Sequence, residues 1–443
     1  MSSRSTGQGQ PESHATQDRP HAAAAPAPLR RRWLPGVLAG LSHALVRRIF
    51  ERVTRGQDEV LRIVLPDGAT SQNRPGEPVV TLVFRTETAP WRVVALGYVG
   101  FFEAYFDGQI DIEGERALGL LIGIAYRSAY HYKASPLLEV MRRYLEWRDD
   151  NRDFAHAQAN ARRHYGLPHA FFELMLGPDM LYAEGYWDED TTSLAQAGRN
   201  RCELICAKLR LRPGDRLVEV GSGWGAMAIH AAEVHGAQVV NYGLVPEQNR
   251  VMQARLEARN LTDRVRIVER DHRQLAQEPG AYDRYVSVGV YEHAGKRHQQ
   301  EWIEAIATAL KPGGIGLISA VAYMRDVPTE FLTIKHVFPG GSVPSLPRTL
   351  RWLEDAGLHV MAVEELGTHY RRTAEVWLDN FEACWPRIAA LDPTLFSEHF
   401  RRVWTYYLSG VIENFRSDLG LYHITFSKGR CDALPGEASC NGT

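Results

Sequence analysis

Five cysteines are all that the 443 residues contain: Cys202, Cys206, Cys384, Cys431 and Cys440. They are odd in number, scattered and without a paired Cys-x-x-Cys. Neither a disulfide framework nor a zinc site is expected, and the usage fits a reducing cytoplasm. No run of about 18 apolar residues occurs, so no membrane span is expected. Net charge is nearly absent, with 51 Lys and Arg against 53 Asp and Glu for a formal −2. Nucleic acid is therefore not an expected partner, since bulk binding favours a strongly basic domain; local basic patches stay open. A GxxxxGK phosphate loop is missing, as are HExxH and any Asp/Glu/His cluster, so no metal is expected. There are no internal repeats. The amino-terminal stretch has no apolar core of the kind a secretory signal needs.

What is present is the composition of a soluble globular protein, 44% hydrophobic and 23% charged, long enough for two or three domains. Residues 1–36 are rich in Ser, Gln, Pro, Ala and His and end in Arg30, Arg31 and Arg32. Low hydrophobicity predicts a disordered tail, whose Arg cluster is either solvated or in contact with anionic lipid. Residues 37–148 read as a small α+β domain, with strands over 60–65 and 79–85, a turn at Asp67-Gly68, and an aromatic-rich run over 99–108. The apolar run Phe171–Leu176 has helical spacing, either as a core helix or as a surface helix meeting acyl chains. From about 196 the pattern alternates. Helices over 196–209, 225–235, 247–259 and 299–309 interleave with strands over 216–220, 238–242, 265–268, 282–288 and 315–320. That alternation predicts a doubly wound, mostly parallel α/β sheet with a Rossmann-like fold. Residues 323–428 add helices and antiparallel strands, and 431–443 form a flexible tail.

The strand Leu217–Val220 runs into Gly221-Ser222-Gly223-Trp224-Gly225 and then a helix. Glycines let main chain turn sharply and approach a ligand closely. The spacing Glu219-x-Gly221-x-Gly223-x-Gly225 is the usual first motif of S-adenosylmethionine (SAM) methyltransferases. Beyond the second strand no acid is available for a ribose, but Gln248 can bond its hydroxyls, with Leu244 beside it. After the third strand, Asp271 can accept from an adenine amino group and His272 can cover the ring.

Further strings narrow the reading. Tyr182-Ala183-Glu184-Gly185-Tyr186-Trp187, Val290-Tyr291-Glu292-His293-Ala294-Gly295, Leu310-Lys311-Pro312-Gly313-Gly314, Phe338-Pro339-Gly340-Gly341 and Thr405-Tyr406-Tyr407-Leu408 follow in order, after His164-Tyr165. Together they resemble the cyclopropane-fatty-acyl-phospholipid synthase family over about 160–428, and more weakly over 37–148, the family's lipid-associated domain. The resemblance implies methyl transfer from SAM to a cis double bond of a phospholipid acyl chain, leaving a carbocation. Proton loss from the new methyl then closes a cyclopropane. It also implies a bicarbonate base held by Cys, Glu, His, Tyr and backbone amides. Tyr182 then lies by the methionine part of SAM. Glu292 and Tyr370 keep the family's Glu and Tyr, but Glu184 replaces the Cys and Ser319 the His. Gly243 stands where the family usually has Thr.

These departures put bicarbonate in doubt. Glu184 is expected to replace it as a tethered base, oriented by Glu292, Ser319 and Tyr370. Two close carboxylates resist joint ionisation, so one is expected to hold a proton. Alternatives are altered chemistry giving a methyl-branched or methylene product, or a purely structural Glu184. The expected domains are a tail (1–36), a lipid-associated domain (37–148), a catalytic domain (149–430) and a second tail (431–443). The expected partner is the acyl chains of phospholipids at a cytoplasmic membrane face, with peripheral binding through apolar residues near 168–182 and Arg47, Arg48, Arg162 and Arg163. A homodimer is the family habit. Rival readings are a small amine, polyketide or terpenoid substrate, or a lipid-binding protein that no longer catalyses.

Overall fold

The computed structural model describes residues 36–127 and 136–429. The two expected tails, with the Arg30–Arg32 cluster, lie outside the described residues apart from Gly36. The first part comprises α1 (Gly36–Val53), β1 (Leu61–Val64), β2 (Thr70–Gln72), β3 (Val80–Phe84), α2 (Ala89–Phe106), β4 (Ile110–Glu113) and α3 (Ala117–Arg127). Its four strands order as β2-β1-β3-β4, with β1 and β3 parallel. Strict alternation turns Leu61, Ile63, Val80, Leu82 and Phe84 onto Val46, Phe50, Val93 and Ile124, giving this sheet its own apolar core. The aromatic run over 99–108 covers the last part of α2, to Phe106, and the Asp107-Gly108 turn after it. That helix bends at Gly97, whose φ of +59° is open to glycine at little cost.

The second part runs α4 (Pro136–Arg148), α5 (Phe154–Tyr165), α6 (His169–Leu176), α7 (Leu194–Lys208), β5 (Arg216–Val220), α8 (Ala226–Val234), β6 (Gln238–Tyr242), α9 (Pro246–Ala258), β7 (Val265–Val268), β8 (Tyr282–Val288), α10 (Gln299–Ala309), β9 (Leu310–Tyr323), α11 (Phe331–His336), α12 (Leu346–Asp355), β10 (Leu358–Glu365), α13 (Gly367–Leu391), α14 (Glu398–Phe415) and β11 (Leu419–Lys428). Its seven strands order as β10-β11-β9-β8-β5-β6-β7. β9, β8, β5, β6 and β7 are parallel neighbours, while β11 lies antiparallel to β9 and β10. The chain leaves β5 toward β6 and β7, then returns to β8 on the other side. The carboxyl ends of β5 and β8 therefore flank a topological switch point, where open α/β sheets bind ligands.

One expectation about the surface is overturned. Phe171, Phe172 and Met175 of α6 are wholly buried and Leu176 nearly so, because α6 packs among Phe381 of α13, Trp404 of α14 and Phe396 of the loop between them. They present no face to a membrane. Arg162 and Arg163 are about half exposed and pair with Glu247 and Asp149. No helix among the described residues is long and apolar enough to cross a membrane.

The two parts share a core in which Phe102 and Phe106 of α2 meet Tyr406 of α14, with ring centroids 4.5 and 5.3 Å apart. Polar ties reinforce it. Arg402 donates to the carbonyls of Tyr105 and Ile110 and to Asp111. The Glu103 carboxylate accepts from Lys335 and from His336 at 2.8 Å.

Candidate active site

The turn after β5 is shaped by main chain. Gly221 has φ +97°, and a Cβ there would lie 2.5 Å from Val290 Cγ1; Gly223 has φ +47° and faces open space. Both line a cavity of about 1090 Å³, with Tyr182, Leu244, Gln248, Asp271 and His272. Gly225 does not. Its φ is +86°, it starts α8, and a Cβ would meet Met252 Cγ at 2.6 Å, so its place is in packing α8 against α9. Gly243 has a local reason too. A Cβ there would strike Asn249 Oδ1, which accepts from Ser222 Oγ, while Asn249 Nδ2 donates to the Gly243 carbonyl. One amide thus clamps the two loops that floor the cavity.

Asp271 lines this cavity and has a structural part as well. Its carboxylate caps the 3-10 turn at His272–Gln277 and accepts from the Arg273 backbone N–H and guanidinium. Oδ1 keeps a lone pair for a ligand, but the group is already held. His272 stacks on Trp302, centroids 4.1 Å apart, and burial lowers it to about 3, so it is neutral. Its buried Nε2 has no partner, an orphan on the wall of this cavity. Glu219, also on the wall, is raised to about 8 by burial, against the pull of Asn241 Nδ2 at 2.8 Å and nearby Arg201. The open face of Gly223, the orphan imidazole nitrogen and the buried Glu219 carboxyl together fit an adenosyl amino-acid cofactor.

A second cavity, about 1120 Å³, has a wall rich in aromatic residues that includes Tyr370, Tyr406, Tyr407, Phe338 and Phe415. It shares Tyr165, Tyr182, Gly289 and His293 with the first. The dividing phenols are fixed: Tyr182 bonds His164 Nε2 at 3.0 Å and donates to Tyr407 at 3.3 Å, and Tyr165 bonds His293 Nε2 at 2.9 Å. Glu292 is part of the second wall. Its Oε1 accepts from the Val321 backbone N–H at 2.6 Å, and Oε2 is shielded and unpartnered. Burial raises Glu292 to about 7, with the Glu184 charge adding to it.

Glu184 lies behind this wall and lines neither cavity. It is 1% exposed, and its Oε1 accepts from Ser319 Oγ at 2.7 Å and from His423 Nε2 at 3.0 Å. Lys208 Nζ lies 2.9 Å from His423 Nδ1. An ammonium has no lone pair, so Nδ1 accepts and the ring proton sits on Nε2, pointing at Glu184. Burial alone would raise Glu184, but His423, Arg201 and Ser319 hold it below the ordinary carboxylate range. The pair is thus split, with Glu184 ionised and Glu292 poised near neutrality. Of the side chains expected to orient Glu184, Ser319 bonds it; Glu292 and Tyr370 do not. Tyr370 stacks instead on Phe415 at 4.9 Å, its phenol raised well above the ordinary range by burial and by the Tyr407, Glu184 and Glu292 charges.

The sequence reading missed His423 and Arg201. His423 stands opposite Ser319 in the β9–β11 ladder and shares its strand face with Leu421, Thr425 and Ser427. An imidazole on a strand face this deeply buried was the available signal. The structure also gathers Cys206, His230 and His235, with donor atoms within 4.8 Å. No spacing in the sequence announced this group, and both imidazoles are already bonded to Glu203, at 3.0 and 2.9 Å.

A glycine turn at a switch point, floored for an adenosyl cofactor and opening onto a second cavity, is the arrangement of a SAM-dependent methyltransferase. Comparison with known proteins supplies the family. Residues 152–423 match the family described as mycolic acid cyclopropane synthetase. The cyclopropane-fatty-acyl-phospholipid synthase of Escherichia coli (strain K12) is 30% identical over 345 residues, 76% of this chain and 85% of the relative. A probable fatty acid methyltransferase of Pseudomonas putida is 32% identical over 358 residues, 79% and 87% of the two chains. Among solved structures, mycolic acid cyclopropane synthase CmaA1 complexed with SAH and CTAB superposes with a TM-score of 0.56 at 28% identity, covering 61% of this chain and 98% of that one. The chain belongs to this synthase family: it is a SAM-dependent methyltransferase, and SAM is its cofactor.

Proposed function

We propose that the enzyme methylates the cis double bond of unsaturated acyl chains in membrane phospholipids and closes a cyclopropane, acting peripherally at a cytoplasmic membrane face. The observation that carries this reading is the wall of Tyr165, Tyr182, Gly289 and His293 shared by the cofactor cavity and the aromatic cavity, with a split carboxylate pair beside it. Relatives named for fatty-acyl substrates and a relative solved with SAH and CTAB support it.

Bound SAM supplies an electrophilic methyl group. The chain's own part is to hold an alkene in a dry aromatic cavity, stabilise positive charge on the substrate, and take one proton. Aromatic faces and phenol oxygens of Tyr182, Tyr165 and Tyr407 suit a carbocation. Ionised Glu184 provides fixed negative charge behind them, where the family has bicarbonate. Its place off the cavity wall favours this part over proton abstraction. Glu292 is on the wall with a free Oε2, and a value of about 7 leaves it partly ionised at neutral pH, which suits a general base. Loss of the proton from the new methyl to Glu292 leaves the electron pair to close the three-membered ring.

Expression in a host lacking its own synthase, followed by mass spectrometry of fatty-acid methyl esters, tests the reading. A gain of one methylene equivalent that resists the mild hydrogenation that saturates alkenes is expected. A methylene product would show that the cation migrates by a hydride shift before the proton is lost, and a saturated methyl-branched chain that a hydride donor reduces the intermediate; either would overturn ring closure. Enzyme stripped of bicarbonate should keep its rate; strict bicarbonate dependence would mean that Glu184 does not stand in for that anion.

A further inference from the structure

One helix face is built against the usual logic of a soluble surface. In α4, Leu137, Val140, Tyr144 and Trp147 are 54%, 65%, 54% and 61% exposed. Spacings of three, four and three residues put them on one stripe about 15 Å long. Arg143 and Arg148 flank it on either side by helical position, their side chains 75% and 41% exposed. The opposite face of α4 turns inward: Leu138 and Leu145 are buried.

That inner face borders an opening. Leu138, Glu139 and Arg142 line a cavity with Tyr126, Tyr323, Glu330 and Asn414, and these last four also line the aromatic cavity. Met324, directly after the lining residue Tyr323, is 61% exposed. One helix therefore presents an apolar stripe outward and walls the approach to the aromatic cavity inward.

We infer that α4 is the membrane-docking element: its stripe enters the interface of a phospholipid bilayer and sets the mouth of the aromatic cavity against the acyl chains. The inference rests on the proposed acyl-chain substrate and locates where that substrate enters. Tyr and Trp are the side chains that settle at a bilayer's headgroup level, and flanking Arg suits phosphate. A second copy of the chain seated on the stripe would cover the approach, whereas a bilayer supplies what the cavity takes.

The test compares the full-length chain with a quadruple variant, Leu137→Ser, Val140→Ser, Tyr144→Ser and Trp147→Ser, and with Val140→Asp alone in case the first fails to fold. Vesicles of monounsaturated phosphatidylethanolamine and phosphatidylglycerol are floated with each protein. The bound fraction should fall at least about tenfold in the quadruple variant. S-adenosylhomocysteine binding and methyl transfer to a monomeric unsaturated fatty acid should be unchanged. Flotation equal to wild type, or a wild type that does not float, would overturn the inference. So would sedimentation showing that the variants lose a dimer together with flotation, which would assign the stripe to a second copy. A wild type that floats through this stripe yet methylates no acyl chain would leave docking intact and overturn the proposed reaction, so the two failures are distinguishable.

Discussion

The two cavities that meet at Tyr165, Tyr182, Gly289 and His293 are built by different means. On the cofactor side main chain does the shaping: Gly221 and Gly223 hold positive φ, and Gly243 is kept bare for the Asn249 clamp. On the other side the walls are side chains from segments far apart in the chain, from Tyr126 to Leu419, with Glu292 and Glu330 on the wall and Glu184, in unlike surroundings, behind it. The difference in construction predicts a difference in failure. Changes on the first side should cost cofactor affinity. Changes on the second should leave the cofactor bound and stop turnover.

The sharpest test is Glu292→Gln. The amide keeps the shape and cannot take a proton, so kcat should fall about a thousandfold while S-adenosylhomocysteine affinity by calorimetry stays put. Glu184→Gln should follow, with kcat down about a hundredfold through loss of fixed charge. It carries a second readout. Glu292 must be ionised to act, so wild-type activity should fall as pH drops through about 7. Glu184 is one of the groups raising Glu292, so its neutralisation should move that acid limb to lower pH. An unmoved limb would separate the two carboxylates. His423→Leu removes one donor to Glu184 and should cost about tenfold in kcat, with the limb again displaced. Gly221→Ala breaks the comparison from the other side. Strain at positive φ and a Cβ 2.5 Å from Val290 should weaken cofactor binding about tenfold, with kcat at saturation nearly kept.

The same contrast separates what could be read from the sequence from what could not. β5, β6, β7 and β8 have the bounds their apolar runs predict, because buried parallel strands are short and end at glycine or polar turns. The glycine turn was legible since its chemistry is consecutive in the chain. β9 runs longer than its apolar run, over Leu310–Tyr323, because the Pro-Gly-Gly segment is absorbed into the strand. The helix over 89–106 was hidden by its glycines. Gly97 bends α2, and a Cβ on Gly100 would lie 1.9 Å from the Arg92 carbonyl oxygen across that bend. The surroundings of Glu184 were the least legible. Ser319 came through resemblance, but His423 is 239 residues from Glu184, and its role depends on the β9–β11 register and on a Lys208 proton donor. No local pattern carries such a relay.

The smallest effect on turnover belongs to a residue that lines neither cavity and joins the two parts of the molecule. Glu103 of α2 is 8% exposed and accepts from His336 and Lys335 around α11. Burial would raise it, yet these two partners hold it at about 2, below its ordinary 4.5. Between those values the folded state binds fewer protons than the unfolded one. The stabilisation is therefore fully present above about 4.5 and is lost as pH falls toward about 2. Glu103→Gln should lower the urea midpoint at pH 7, by about 3 kcal/mol in stability, and flatten the acid dependence between pH 5 and 3. α2 packs on α14, which supplies Tyr406 and Tyr407 to the aromatic cavity. Loosening that joint should reach the side-chain-built cavity first. Near its unfolding midpoint the variant should lose acyl-chain turnover before it loses S-adenosylhomocysteine binding. Simultaneous loss would show that the two cavities, despite their different construction, stand or fall as one cooperative unit.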